Sequence, residues 1–132
     1  MASVPNDRAW YAGAHHRIVS LVRELPPTAL HEMVPACPKW TVRDLLAHLC
    51  AVARSARDAG TSGRLPSIPT PEQTQVGVDE RANATLDQVL DEWAATTEEL
   101  TAILSPEKLR SQVVHDITQH EADVRGTVGA QR

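Results

Sequence analysis

Apolar residues recur about every three or four positions in four separate stretches of the chain, which is the pattern of helices that bury one face. In the first stretch the pattern stops at Pro26 and Pro27, which cannot continue a helix. The third stretch has the most regular apolar stripe. The predicted long helices are about 7–25, from an N-cap at 41 to 60, 82–104, and about 106–128.

Helix-start and helix-stop residues support these limits. Thr41 is placed to cap the second helix with Asp44 three positions on, and Gly129 follows the last helix. Thr70 marks the start of a further helix, although Gly77 argues against one long helix there. The Pro-rich connections 28–40 and 60–71 contain no convincing strand. The sequence therefore predicts an all-α protein, an antiparallel four-helix bundle formed as one domain by residues 1–132.

Composition excludes several classes of function. The net charge is −4 and the basic residues are dispersed, whereas nucleic-acid binders concentrate them. No apolar run approaches the roughly 20 residues of a membrane span, and no secretory signal is visible. We therefore expect a cytoplasmic protein that binds neither nucleic acid nor membrane, and that pairs as a homodimer through an exposed helix face. Cys37 and Cys50 are expected to be buried free thiols.

The candidate chemistry lies on the last predicted helix. At about 100° per residue, three polar side chains fall at one edge of its apolar stripe: Asp116, His120 and Asp123. Asp116 and His120 are four positions apart, so that both can reach one ion. His115 and Glu121 point away from that edge. The adjacent His15 and His16 are expected to be exposed or structural.

His48 occupies the same kind of position at the edge of the second helix's stripe. Since buried polar groups need partners, His48, Asp116 and His120 either share a metal ion or simply pair with one another. A single D-x-x-x-H spacing does not decide between these alternatives. Two imidazoles and one carboxylate would suit Zn²⁺, Fe²⁺, Ni²⁺ or Co²⁺, and would leave a coordination position open.

Three segments resemble a known family: CPKWTVRDLLAHL, VDERANATLDQVLDEW and HDITQHEADVRGTVG. Together they are similar to the N-terminal metal-binding domain of the mycothiol-dependent maleylpyruvate isomerases, which belong to the DinB-like four-helix group. The resemblance covers about 10–129. It implies that His48, Asp116 and His120 are the metal ligands, and that mycothiol is the thiol co-substrate.

The resemblance implies a metal-dependent enzyme in which a thiol at the open coordination position loses its proton and attacks a small electrophile. The reaction would be thiol S-transfer or cis–trans isomerisation. The alternatives are a non-catalytic metal- or small-ligand-binding bundle, or a half-site that a partner domain completes. Asp123 could orient a ligand imidazole from outside the coordination shell. Asp44 could act likewise, although capping is the stronger interpretation.

Two features depart from the family's pattern. The prototype has Glu at the position of Asp116, and Asp is one methylene shorter. The family's isomerases also carry a C-terminal domain, which is not expected within these 132 residues.

Overall fold

The computed structural model describes residues 7–61, 70–103 and 112–129. Four long helices dominate these ranges, joined by one short helix, one 3₁₀ turn and a small two-stranded sheet. The elements are α1 (Asp7–Arg23), the 3₁₀ turn (Pro27–His31), β1 (Met33–Val34), β2 (Cys37–Thr41), α2 (Val42–Thr61), α3 (Pro71–Asp79), α4 (Leu86–Ile103) and α5 (Gln112–Val128). The predicted all-α class is confirmed, and the fold is consistent with a DinB-like bundle.

The four long helices form a ring in which α1 packs on α4 and α5, and α2 packs on the same two helices. The main core lies inside this ring, and its largest fully buried side chains are Trp93 and Tyr11. Trp93 Nε1 donates a hydrogen bond of 3.0 Å to Tyr11 Oη, so the polar atoms of both rings are satisfied inside the core. Within the described ranges, no helix combines the length and apolar character needed to cross a membrane.

The helix boundaries follow the capping residues. Thr41 Oγ1 accepts from Asp44 N at 3.1 Å and Asp44 Oδ2 accepts from Thr41 N at 3.0 Å, which is the reciprocal pattern of a capping box. The predicted start at Thr41 is thus confirmed, and α2 runs one residue past the predicted end at Gly60. Gly129 follows α5 with φ 70°, the left-handed conformation expected of a glycine after a helix.

The prediction that the first connection contains no strand was wrong. β1 and β2 pair antiparallel there, with an irregularity in register between Met33 and Val34. Pro38 lies within β2, and proline is tolerated because each strand of a two-stranded sheet has an unpaired edge. The sheet leads directly into α2 and holds Cys37 and Trp40 next to the first turns of that helix.

The third long helix begins at Leu86, four positions later than the predicted Ala82. Thr85 and Gln88 form a reciprocal capping pair, with Thr85 N to Gln88 Oε1 at 2.8 Å and Gln88 N to Thr85 Oγ1 at 3.1 Å. The preceding residues form turns, and the Arg43 guanidinium donates to the carbonyls of Arg81 and Ala84. The predicted end at Leu104, the helix start at Pro106 and most of the second connection lie outside the described residues.

α3 is a separate short helix whose start was predicted from Thr70. Thr70 and Gln73 cap each other's backbone, as a capping box requires. A β-carbon added to Gly77 would lie 2.7 Å from Ala51 Cβ, so Gly77 allows α3 to pack directly against α2. The glycine that argued against a long helix therefore marks a close contact between two helices.

Candidate metal centre

His48, Asp116 and His120 meet between α2 and α5, with ligand atoms that all lie within 4.8 Å of one another. Asp116 lies between the two histidines. Its Oδ1 is 3.2 Å from His120 Nε2 and 3.4 Å from His48 Nε2, and its Oδ2 is 3.3 Å from His48 Nε2. We call these three residues the ligand cluster. These are the three residues predicted from the sequence, and the fold brings His48 to Asp116 across 68 positions of the chain.

The ligand cluster sits at the edge of the core. The side chains of His48 and His120 are 8% and 11% exposed, whereas that of Asp116 is 25% exposed. The two imidazole rings are nearly perpendicular, at 87°, with centroids 5.0 Å apart. The Asp116 side chain is thus more exposed than the two histidines, which are largely shielded from water.

The predicted apolar stripe on α5 holds these groups in place. Ile117 and Val124 are fully buried, and Val128 is partly buried against the smaller core cluster beside β1. The side chains of Val113 and His115 lie outside the described part of α5. Glu121 faces α1, where Arg17 donates to it at 2.8 and 3.1 Å, so it lies away from the ligand cluster as predicted.

Asp123 extends the ligand cluster by one turn. Its Oδ2 lies 2.9 Å from His120 Nδ1, which indicates that Nδ1 carries a proton and donates it. In the neutral ring the lone pair is then on Nε2, facing Asp116. Two electron-rich atoms that face each other at 3.2 Å need a proton or a metal cation between them.

The charges of the ligand cluster likewise favour a proton or a metal cation between Asp116 and His120. Burial alone would raise the pKa of Asp116, but hydrogen bonds and charge from His120 and His48 outweigh it and hold the pKa far below its usual range. Burial alone would lower the pKa of His120, but Asp116 and Asp123 reverse this and raise it. The cluster therefore favours a positive charge on His120 and a negative charge on Asp116.

A divalent metal fits these residues by two further observations. Asp116 Oδ2 is buried and accepts no hydrogen bond from the described residues, although it lies 3.3 Å from His48 Nε2. In addition, ligand atoms that share a tetrahedral ion at roughly 2.0–2.1 Å would be about 3.3–3.4 Å apart, close to the separations from Asp116 to each histidine. The cluster thus has the donor set and spacing of a metal site, with one acceptor unused.

The other candidates from the sequence lie elsewhere. Asp44 makes the capping hydrogen bonds of α2, and its role around a metal stays a prediction. His16 is exposed, whereas His15 is partly buried with its ring 4.5 Å from that of Trp93. Both cysteines are free: Cys50 is buried as predicted, but Cys37 is only half-buried because it lies on the sheet beside an open groove.

Two neighbours of the ligand cluster were not assigned to it from the sequence. Cys37 forms a second possible ligand group with His120 and Asp123. The Trp40 ring lies 4.9 Å from that of His48 at 36°, as one wall of the site. The only signal for either residue was the C-P-x-W-T block directly before α2.

The fold and the ligand cluster define a class: an all-α bundle that gathers two imidazoles and a carboxylate between two of its helices. A family model described as "Mycothiol maleylpyruvate isomerase N-terminal domain" matches residues 11–125, and the chain belongs to that family. The matched range includes all of the ligand cluster and Asp123. No curated protein and no solved structure shows significant similarity to the chain.

Proposed function

We propose that His48, Asp116 and His120 bind one divalent metal ion that serves a thiol-dependent enzyme. Zn²⁺ is the first choice, with Ni²⁺, Fe²⁺ and Co²⁺ as alternatives, since nitrogen and carboxylate donors suit them all. The observation that carries the proposal is the position of Asp116, with an unused buried oxygen, between two imidazole nitrogens. Membership of the mycothiol isomerase family supports mycothiol as the thiol.

The bound metal would lower the pKa of a small thiol and so supply a nucleophilic thiolate at neutral pH. The protein's own residues would do the positioning. Asp123 holds the His120 ring by its Nδ1 hydrogen and leaves Nε2 free for the ion. Three protein ligands would leave a position for the thiol. The thiolate sulfur would form a C–S bond to a small electrophile, either as a leaving group departs in S-transfer or by addition to a C=C bond, which rotates before the C–S bond breaks again.

A second candidate is a half-site whose chemistry needs another domain, or a bundle that binds metal or a small ligand without catalysis. The family description favours it, because it names an N-terminal domain, which is one part of a larger protein. On this alternative the metal and thiol still bind, but the electrophile is not converted by this chain alone.

Metal content separates the metal proposal from mere pairing of the three side chains. We expect about one metal ion per chain by mass spectrometry after reconstitution with Zn²⁺, and loss of that ion in His48→Ala, Asp116→Ala and His120→Ala. His16→Ala is the matched control, because His16 is exposed on α1. Circular dichroism checks that each variant is folded. A metal-free wild type after reconstitution would contradict the proposal.

Thiol consumption separates enzyme from binding module. Metal-loaded protein is mixed with mycothiol and a generic electrophile, and the loss of free thiol is followed against metal-free protein and Asp116→Ala. The enzyme proposal predicts turnover only in the loaded wild type. Thiol binding without turnover would favour the half-site.

A further inference from the structure

The small sheet brings a sulfur atom next to two side chains of α5. The sulfur of Cys37 and one ligand atom each of His120 and Asp123 all lie within 4.8 Å of one another. We call these three residues the cysteine cluster. It shares His120 with the ligand cluster, but it adds a sulfur, whereas the ligand cluster offers only nitrogen and oxygen.

Packing between the sheet and α5 fixes the position of Cys37. Cys37 is paired with Val34 in the sheet, and it packs against the smaller core cluster that contains Val124, the residue after Asp123. Val34 and Val124 are fully buried, so the sheet and α5 are held together beside the cysteine cluster. Cys37 itself is half-buried and lines a groove of about 610 Å³ between β2 and α3, which gives an ion a route to the sulfur.

The spacing and charge of the cysteine cluster suit a cation. Around a tetrahedral ion, a sulfur and a nitrogen ligand lie roughly 3.5 Å apart, so separations within 4.8 Å need only small side-chain rotations to close on an ion. Burial and the charges of Asp123 and Asp116 raise the pKa of the Cys37 thiol, because negative charge is concentrated around the sulfur. A divalent cation would balance that charge.

His120 connects the two clusters through its two ring nitrogens. Nδ1 lies 2.9 Å from Asp123 Oδ2, and Nε2 lies 3.2 Å from Asp116 Oδ1. A neutral imidazole has one lone pair and one proton. An ion on Nε2 leaves the proton on Nδ1, where Asp123 accepts it, whereas an ion on Nδ1 moves the proton to Nε2, where Asp116 accepts it. The two aspartates would thus exchange the roles of ligand and hydrogen-bond acceptor.

The two clusters suit different ions, because thiolate is a soft ligand that favours soft ions, whereas imidazole and carboxylate suit Zn²⁺ and Ni²⁺. We infer that Cys37, His120 and Asp123 bind a soft divalent ion such as Cd²⁺, and that this ion and the metal of the ligand cluster exclude each other because they share His120. Binding releases the thiol proton to solvent, so that a thiolate holds the ion. The exclusion rests on the proposed metal of the ligand cluster, whereas the Cd²⁺ site itself does not.

Ultraviolet absorption tests the Cd²⁺ site, since a thiolate bound to Cd²⁺ gives a charge-transfer band that nitrogen and oxygen ligands do not give. Titration of the metal-free full chain in thiol-free buffer should produce this band and saturate at about one ion per chain. At the same amount of Cd²⁺, Cys37→Ser and His120→Ala should lose the band and Asp116→Ala should keep it. Cys50→Ala is the matched control that should also keep it, because Cys50 is the other cysteine and is buried.

A wild type without the band, or a folded Cys37→Ser variant that keeps it, would overturn the Cd²⁺ site. Circular dichroism checks folding. Asp123→Asn provides a second test that leaves the sulfur in place, and it should need at least about tenfold more Cd²⁺ to develop the band. An unchanged titration in Asp123→Asn would contradict the assignment of its carboxylate as a ligand.

The zinc-loaded wild type tests the exclusion. As Cd²⁺ develops the thiolate band, an equal amount of Zn²⁺ should be released to a chromophoric indicator. A full band with all zinc retained would overturn the exclusion. A wild type that takes up no zinc but develops a band dependent on Cys37 would overturn the metal site of the proposed function and support the Cd²⁺ site.

Discussion

Two buried polar clusters connect helices of this protein, and they differ in whether their atoms are satisfied. In the first, the Arg81 guanidinium donates to both oxygens of Glu92 at 3.0 and 2.7 Å, and to the Gly77 carbonyl at 2.9 Å. In the ligand cluster, the separations from Asp116 to each histidine are 3.2–3.4 Å, and one buried carboxylate oxygen has no hydrogen bond. The fully paired cluster stabilises the fold, whereas the incompletely paired one has capacity for a ligand.

The largest effect is expected from the paired cluster. Arg81→Met should lower the free energy of unfolding by about 2–3 kcal/mol, because it leaves the partly buried Glu92 with only the longer contact of 3.9 Å to Arg54. Urea unfolding of the metal-free protein measures this, and the metal content should not change. The matched control is Arg23→Met, since Arg23 forms an exposed pair with Asp87 at 3.6 Å. A similar loss of unfolding free energy in Arg81→Met and Arg23→Met would contradict the claim that the paired cluster stabilises the fold more than an exposed pair does.

The ligand cluster should instead respond to metal. Zinc at a free concentration about 100-fold above its Kd should raise the free energy of unfolding by about 2.7 kcal/mol in the wild type. Arg81→Met should show the same increment, and Asp116→Ala none. If Asp116→Ala keeps the increment but Cys37→Ser loses it, the ion binds the group formed by Cys37, His120 and Asp123, and our ligand assignment is wrong.

Asp123 should tune the metal without being a ligand. Removing its hydrogen bond to His120 Nδ1 frees that ring to rotate, so Asp123→Ala should weaken zinc binding by about 10–100-fold. Asp123→Asn should recover part of the loss, because its carbonyl can still accept the hydrogen. Competition with a chromophoric chelator measures the affinity. Asp91→Ala, on the exposed face of α4, should bind zinc as the wild type does.

The smallest effect concerns His15, which has a buried ring nitrogen with no hydrogen-bond partner among the described residues. Burial, with a smaller contribution from the charge of His16, lowers the pKa of His15 to about 4. Between pH 6.5 and 4 the unfolded chain therefore binds a proton that the folded chain does not, and stability falls as the pH falls. Since the ring is partly exposed, we expect a loss of roughly 1–2 kcal/mol.

The difference in unfolding free energy between the wild type and His15→Gln, followed from pH 7 to 4, isolates this contribution. His31→Gln is the control, because His31 is exposed in the 3₁₀ turn. In the metal-free protein, the contribution of His120 to stability changes with pH in the opposite direction. Its raised pKa stabilises the fold at pH below 6.5 and loses that contribution as the pH rises through the folded value. If the contributions of His15 and His120 to the unfolding free energy changed with pH in the same direction, this contrast would be contradicted.

The sequence predicted the four long helices because each carries a long apolar stripe, and it located Thr41 and Thr70 because capping requires particular side chains. It missed the start at Leu86, although Thr85 and Gln88 have the capping-box spacing, because apolar periodicity was extended back through the turn. The small sheet could not be foreseen, since two residues of β1 carry no periodicity and Pro38 argues against a strand.

The ligand cluster was predictable only in part, because spacing along a helix fixes some of its members and tertiary packing the others. Asp116 and His120 lie on one helix, where spacing fixes their relative positions. That His48 faces them depends on which helices pack together, and spacing alone does not give this. Trp40 and Cys37 reach the cluster only because β2 turns into α2, and the groove depends on the close contact of α3 with α2 that Gly77 allows.

The separation of His48 from Asp116 has a consequence for when the centre can form during folding. The two residues are 68 positions apart, and closing a flexible segment of that length costs about 4 kcal/mol of chain entropy or more. Before α5 docks, His48 is a single imidazole with negligible affinity for an ion. Metal capture would therefore follow the docking of the last helix, and a chain that holds its ion would be one whose distant segments have already assembled.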